Sequence, residues 1–231
     1  MTQTSLQPMI TIEDVIRLPE GRTSERIELV TSRGTITCRV HPAEGEKAVL
    51  WVFGAGGGLG GPSGGVYTRL GGQLQPSRVT SLELDYRRPG DLEECVLDIL
   101  VGLAYLEMLG KDQIVLVGHS FGGAVVINAG LISEAVIAVA ALSSQTAGTN
   151  QVAKLSPKPL LLVHGEADEV LPASCSQNIY AQAGDPKELI LYPGCWHGLD
   201  QCRDDLDRDL TRWLKEVLGL SEEPEQAKNF W

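Results

Sequence analysis

The run QIVLVGHSFGGAVVINAGL, beginning at Gln113, constrains the fold more than any other part of this chain. Residues 114–117 are a solid apolar run of strand length, and a helix-like apolar segment leaves from Ala124. Between them lies Gly118-His119-Ser120-Phe121-Gly122. A strand that turns directly into a helix needs small residues two before and two after the centre of the turn. The central residue is then held in a strained backbone conformation, with its side chain presented at the carboxyl edge of a sheet. A bare G-x-S-x-G is weak; set between a buried strand and a helix, it is strong.

Other segments fit the same architecture. RIELVTSRGTITCRVHP reads as two strands about a short Arg-Gly turn, with Ile27, Leu29 and Val30 followed by Ile36, Cys38 and Val40. KAVLWVFG, VTSLELDYR, AVIAVAALSS, PLLLVHG and KELILYPG read as further strands, the apolar ones buried on both faces. Leu92, Val96, Ile99, Leu100, Leu103 and Leu106 have helical spacing, and Asp91 is placed to cap that helix. Leu206, Leu210, Trp213, Leu214 and Val217 form the stripe of a closing amphipathic helix. With 231 residues, 43% of them hydrophobic, one α/β domain is expected. Its sheet is mostly parallel and doubly wound, of about eight strands, with helices on both faces. The core is expected over about 27–218, with 1–20 a loose lead-in and 221–231 a frayed tail.

A serine hydroxyl is a poor nucleophile until a base takes its proton, and the base needs an orienting carboxylate. In a fold with this elbow, those partners follow in the order acid, then histidine, on loops after later strands. EADEVLP follows PLLLVHG and offers Asp168, with Glu166 and Glu169 beside it as rival acids. CWHGLD follows ELILYPG and offers His197. Both positions lie past the carboxyl ends of strands, where open α/β sheets build their sites. His119 adjoins the serine and reads as a residue that lines or supports the site. His164, at a strand end, reads as structural, and Trp196 as a pocket wall.

On GHSFGG, HGEADEVLP and YPGCWHG, the chain resembles the α/β-hydrolase superfamily, in particular its small dienelactone-hydrolase-like and carboxylesterase-like members. The resemblance covers roughly 27–218 and implies Ser120 as nucleophile, His197 as general base and Asp168 as its orienter. Serine replaces the cysteine of dienelactone hydrolases proper, which sets that particular substrate aside. The resemblance further implies an oxyanion hole from the Phe121 N–H and one N–H of the loop after KAVLWV. That loop often begins His-Gly but here begins Phe53-Gly54. Ala55 is the expected second donor and Gly56 the near alternative, with Gly54 and Gly56 bordering the substrate.

The loop itself, FGAGGGLGGPSGG over 53–65, contains a formal G-x-G-x-x-G at Gly56, Gly58 and Gly61. With Asp85 some two dozen residues on, it admits a dinucleotide-binding reading. Against that, PSGGVYTRLGGQLQP is too glycine-broken for the long apolar helix the fingerprint requires. Arg87 and Arg88 read as exposed loop charges, or as an anchor for a substrate carboxylate.

A net charge of -11 argues against nucleic acid or an anionic membrane as partner. No signal peptide or bilayer-spanning run is visible. The five cysteines are odd in number and scattered, without metal-ligand spacing, and read as reduced thiols of a cytoplasmic protein. Only residues 144–158 separate two successive strands where relatives insert a cap, so an open pocket is expected. The expectation is therefore a cofactor-free, metal-free serine hydrolase acting on a small-molecule ester or thioester. A thioesterase or acyltransferase, and a non-catalytic binding protein, are the alternatives.

Overall fold

A computed structural model describes residues 10–20 and 23–220. Nine strands form one sheet: β1 (Ile12–Glu20), β2 (Ser24–Thr31), β3 (Gly34–His41), β4 (Lys47–Val52), β5 (Val79–Leu84), β6 (Gln113–His119), β7 (Val136–Leu142), β8 (Leu160–Gly165) and β9 (Lys187–Tyr192). Their spatial order is β1-β2-β3-β5-β4-β6-β7-β8-β9. The first three pair antiparallel, β3 joins β5 antiparallel, and every pairing from β5 to β9 is parallel.

The helices are α1 (Pro62–Leu74), α2 (Leu92–Met108), α3 (Phe121–Ile132), α4 (Ser174–Gln182) and α5 (Arg203–Val217). Parallel neighbours need crossovers, and these helices supply them on both faces of the sheet. Alternation along β4 shows how the two faces divide. Ala48, Leu50 and Val52 pack into the core shared with α2, α3 and α4, whereas Val49 and Trp51 pack into the core shared with α1 and α5. Asp91 caps α2 by accepting the Glu94 N–H at 3.2 Å. Residues 143–159 join β7 to β8 with only a short helical turn at Val152–Leu155, so no substantial cap covers the sheet edge there.

Four expectations change. The lead-in is not loose throughout: residues 12–20 form β1, which pairs along β2 and brings Ile12 and Val15 onto the core. The remainder of that expectation, at 1–9, and the tail at 221–231 lie outside the described residues. The described residues form nine strands rather than about eight, β1 being the strand not anticipated.

PSGGVYTRLGGQL does form a helix, α1. Its opening is broken as its glycines suggest, with Ser63, Gly64 and Gly65 at φ of 53°, 59° and 89°, and its regular part then buries Val66, Tyr67, Leu70 and Leu74. Arg87 is neither an exposed charge nor a free anchor. Its guanidinium is nearly enclosed, pairing with Asp98 and, at 3.0 Å, with Glu94 on successive turns of α2. Arg88 is exposed.

Candidate functional site

Ser120 sits between β6 and α3 at φ 58° and ψ -122°, a region that non-glycine residues avoid. The surrounding contacts explain both flanking glycines. A Cβ on Gly118 would run into the Gly122 carbonyl, and one on Gly122 into the Phe53 carbonyl. Both obstacles are backbone, so neither position can take a side chain without moving the elbow. The strain at Ser120 is held by β6 on one side and by the first turn of α3 on the other.

Three side chains from three loops meet here. His197 Nε2 lies 3.0 Å from Ser120 Oγ, and His197 Nδ1 lies 2.8 Å from Asp168 Oδ2. Of the three acids considered, Asp168 is the one whose carboxylate meets the imidazole. Its Oδ1 accepts the Val170 and Leu171 N–H groups at 2.8 and 2.7 Å, a local turn that leaves Oδ2 directed at the histidine. Burial pushes the Asp168 carboxyl pKa up, but these N–H donors and His197 outweigh burial and hold it below the usual carboxylate range. Glu169 has a different place: its Oε2 accepts the backbone N–H of His197 at 3.1 Å. Glu166 is exposed.

His119 packs between Phe53 and His197, with ring centroids 5.3 and 4.8 Å away. Its Nε2 lies 2.9 Å from the His197 carbonyl oxygen, which can only accept, so the proton sits on Nε2. Burial pushes the His119 pKa down to about 4. This neutral ring bonds the His197 carbonyl and packs on the His197 ring, and among the described residues its Nδ1 has no hydrogen-bond partner. Trp196, expected as a pocket wall, is 55% exposed.

The expectation of five reduced thiols fails in this same loop. Cys195 and Cys202 are joined by a disulfide, which closes the segment that carries His197. Leu199 at φ 59° turns the chain between them and brings their Cα atoms to 5.8 Å. Seven residues of separation gave no sign of that curvature. Cys38, Cys95 and Cys175 are free.

The glycine run approaches the serine at its start and the histidine loop at its end. A Cβ on Gly54 would stand 3.4 Å from Ser120 Cβ, so residue 54 abuts the elbow directly. The Gly57 N–H closes a turn onto the Gly54 carbonyl at 3.0 Å, leaving the Ala55 and Gly56 N–H groups outside that bond. Phe121 opens α3, so its N–H belongs to the first turn and has no acceptor within the helix.

Further along, Gly58 donates to Asp85 Oδ1 and Gly60 to Glu83 Oε2, both at 2.6 Å. The acid that the dinucleotide reading required, Asp85, is thus engaged by the loop itself. The Ser63 N–H then reaches the Gly198 carbonyl at 2.7 Å. Sequence reasoning missed this brace, because nothing in the residue types marks a backbone-to-backbone contact. Among the described residues, no group of three or more His, Cys, Asp or Glu is arranged to hold a metal ion, and no helix is long and apolar enough to cross a membrane.

Comparison with known proteins adds three findings. The family model described as serine aminopeptidase, S33, matches residues 139–201, a segment that includes Asp168 and His197 but not Ser120. The protein YfhR of Escherichia coli K12, described as uncharacterized, is 46% identical over 56 residues, which is 24% of this chain and 20% of that one. The match therefore spans about a fifth of the curated relative's length.

Among solved structures, the α/β hydrolase GrgF from a Penicillium species has a TM-score of 0.71 at 18% identity, covering 85% of this chain and 98% of its own. Est1E from Butyrivibrio proteoclasticus, in its complex with ferulic acid, has a TM-score of 0.66 at 19% identity, covering 80% and 96%. A dienelactone hydrolase from Anabaena variabilis has a TM-score of 0.70 at 14% identity, covering 84% and 99%. What these proteins share with the chain is the α/β-hydrolase fold.

Proposed function

We propose that this chain, an α/β-hydrolase by fold, is a serine hydrolase that cleaves a carboxylic ester through an acyl-enzyme. The observation that carries the reading is the unbroken line from Ser120 Oγ through His197 to Asp168 Oδ2, at 3.0 and 2.8 Å. His197 takes the Ser120 proton as Oγ attacks the ester carbonyl, and Asp168 orients the ring and stabilises the imidazolium. The Ala55 and Phe121 N–H groups receive the developing oxyanion, each such donor being worth roughly 3 kcal/mol of transition-state stabilisation. Collapse expels the alcohol, which takes the proton back from His197. Water then enters, gives a proton to His197, and attacks the acyl carbon; the bond from that carbon to Ser120 Oγ breaks, Oγ takes the proton back from His197, and the acid is released.

The short β7–β8 connection favours small or protruding acyl groups over long buried ones. A series of p-nitrophenyl esters of rising chain length tests the reading. Turnover that is greatest for short acyl chains and is lost in Ser120→Ala supports it; no Ser120-dependent turnover across the series overturns it. Running a thioester of the preferred acid beside its ester, with and without an alcohol acceptor, separates thioesterase and acyltransferase chemistry from ester hydrolysis.

A further inference from the structure

Asp168 faces a second histidine. His164, at the end of β8 and fully buried, places Nε2 at 3.1 Å from Asp168 Oδ2, the same oxygen that meets His197. The same Nε2 lies 3.0 Å from the Leu171 carbonyl, so this nitrogen carries the proton. On the other side of the ring, the Ser176 hydroxyl of α4 meets Nδ1 at 2.7 Å and, with Nδ1 unprotonated, is the donor. Every polar atom of this ring thus has a defined partner and the tautomer is fixed. Leu171 is held twice: its carbonyl by His164 and its N–H by Asp168 Oδ1.

We propose that His164 is a positioning residue for the site, holding Asp168 in place from behind through Oδ2 and through Leu171, with the Ser176 hydroxyl donating to its Nδ1. The inference rests on the hydrolase reading for its kinetic consequence, but the chain of polar contacts Ser176–His164–Asp168–His197–Ser120 stands on geometry, with the His164 N–H bonded to the Leu171 carbonyl and 3.1 Å from Asp168 Oδ2. A second N–H facing Oδ2 draws off part of the negative charge that this oxygen offers to His197. Removing it strengthens the His197–Asp168 bond while loosening the carboxylate's aim.

The ionisable groups that act on His164 are Asp168, His197 and His119. Burial lowers the His164 pKa, so the ring faces Asp168 as a neutral donor. A histidine that only filled space would leave the bond on the far side of Asp168 unchanged.

The test uses His164→Ala, His164→Gln and Ser176→Ala. In His164→Ala, the NMR resonance of the proton between His197 Nδ1 and Asp168 is expected to move downfield. The acid limb of kcat/KM is expected to move up by about half a pH unit, and kcat to fall about tenfold with KM little changed. Glutamine carries an N–H donor close to the Nε2 position and is expected to restore both the resonance and the limb. Ser176→Ala, which weakens the His164 donor, is expected to move the resonance the same way by less, and it decides the matter if His164→Ala does not fold.

An unmoved resonance in folded His164→Ala, or in Ser176→Ala where the former does not fold, overturns the proposal, as does a displaced resonance that glutamine leaves displaced. Because the resonance needs no turnover, an inactive wild type would sink the hydrolase reading alone and leave the role of His164 to be decided.

Discussion

The Ser63 N–H donates to the Gly198 carbonyl at 2.7 Å, tying the end of the glycine run to the residue after His197. The loop that begins against Ser120 therefore ends against the histidine loop, and the left-handed residues 63–65 are what turn it there. Gly61 sets up that turn at φ 74°, with Tyr67 packed so closely that an added Cβ would lie 2.5 Å from its ring. Tyr67 cannot easily yield, since it stacks on Trp51 and bonds the Val52 carbonyl. Gly61→Ala should cost about 2 kcal/mol of stability and lower kcat about tenfold by loosening the brace on His197. Gly72, inside α1 with open space around it, is the control. Gly72→Ala should stabilise by roughly 0.5–1 kcal/mol with activity unchanged, read by denaturant melts and initial rates.

The Cys195–Cys202 bond encloses a short loop, for which chain entropy gives about 2–3 kcal/mol. Denatured, unreduced protein should titrate three thiols, those of Cys38, Cys95 and Cys175, and reduced protein all five. Reduction, or replacement of both bonded cysteines by serine, should lower Tm and reduce turnover, since His197 rides on the closed segment. Five titratable thiols without reductant would remove this account of the loop.

Acid should destabilise the fold well above the range where carboxylates titrate. His119 is pushed from 6.5 to about 4 by burial, so between those values the unfolded chain binds a proton that the folded chain does not. Its contribution is complete above about pH 6.5 and is lost as pH falls toward 4, by roughly 3 kcal/mol in all. His164, also lowered by burial, adds in the same direction. Urea melts from pH 7.5 to 4.5 should show this slope, and His119→Gln should flatten it. An equal slope in the variant would count against a buried neutral His119.

Arg87 lies between Glu94 and Asp98, and Asp98 is fully enclosed, its pKa raised by burial against the opposing pull of Arg87. Arg87→Met leaves the enclosed Asp98 without its cation, while Arg33 still pairs with Glu94, and should cost about 3–5 kcal/mol. Arg88→Met, on the exposed neighbour, should cost less than about 0.5 kcal/mol. Equal melting curves for the two variants would contradict the assignment.

What the residues revealed in advance followed from how local each constraint is. The elbow was legible because its steric demands fall on Gly118 and Gly122, within two residues of Ser120. The order of Ser120, Asp168 and His197 was legible because each follows an apolar strand. β1 was hidden because its stability comes from pairing with β2, while its own pattern alternates weakly. The disulfide was hidden because the bend at Leu199 belongs to the folded loop. The Arg87 cluster was closer to the surface of the sequence: Glu94 and Asp98 are four apart, and so share the helix face that Arg87 meets.

The central claim is that Ser120 is a nucleophile activated by His197. Its most direct test is reaction with a fluorophosphonate, read by intact mass and peptide mapping. The account predicts one adduct, on Ser120, absent in Ser120→Ala and formed at least about a hundredfold more slowly in His197→Ala. No adduct on folded wild-type protein, or one placed elsewhere than Ser120, would contradict it.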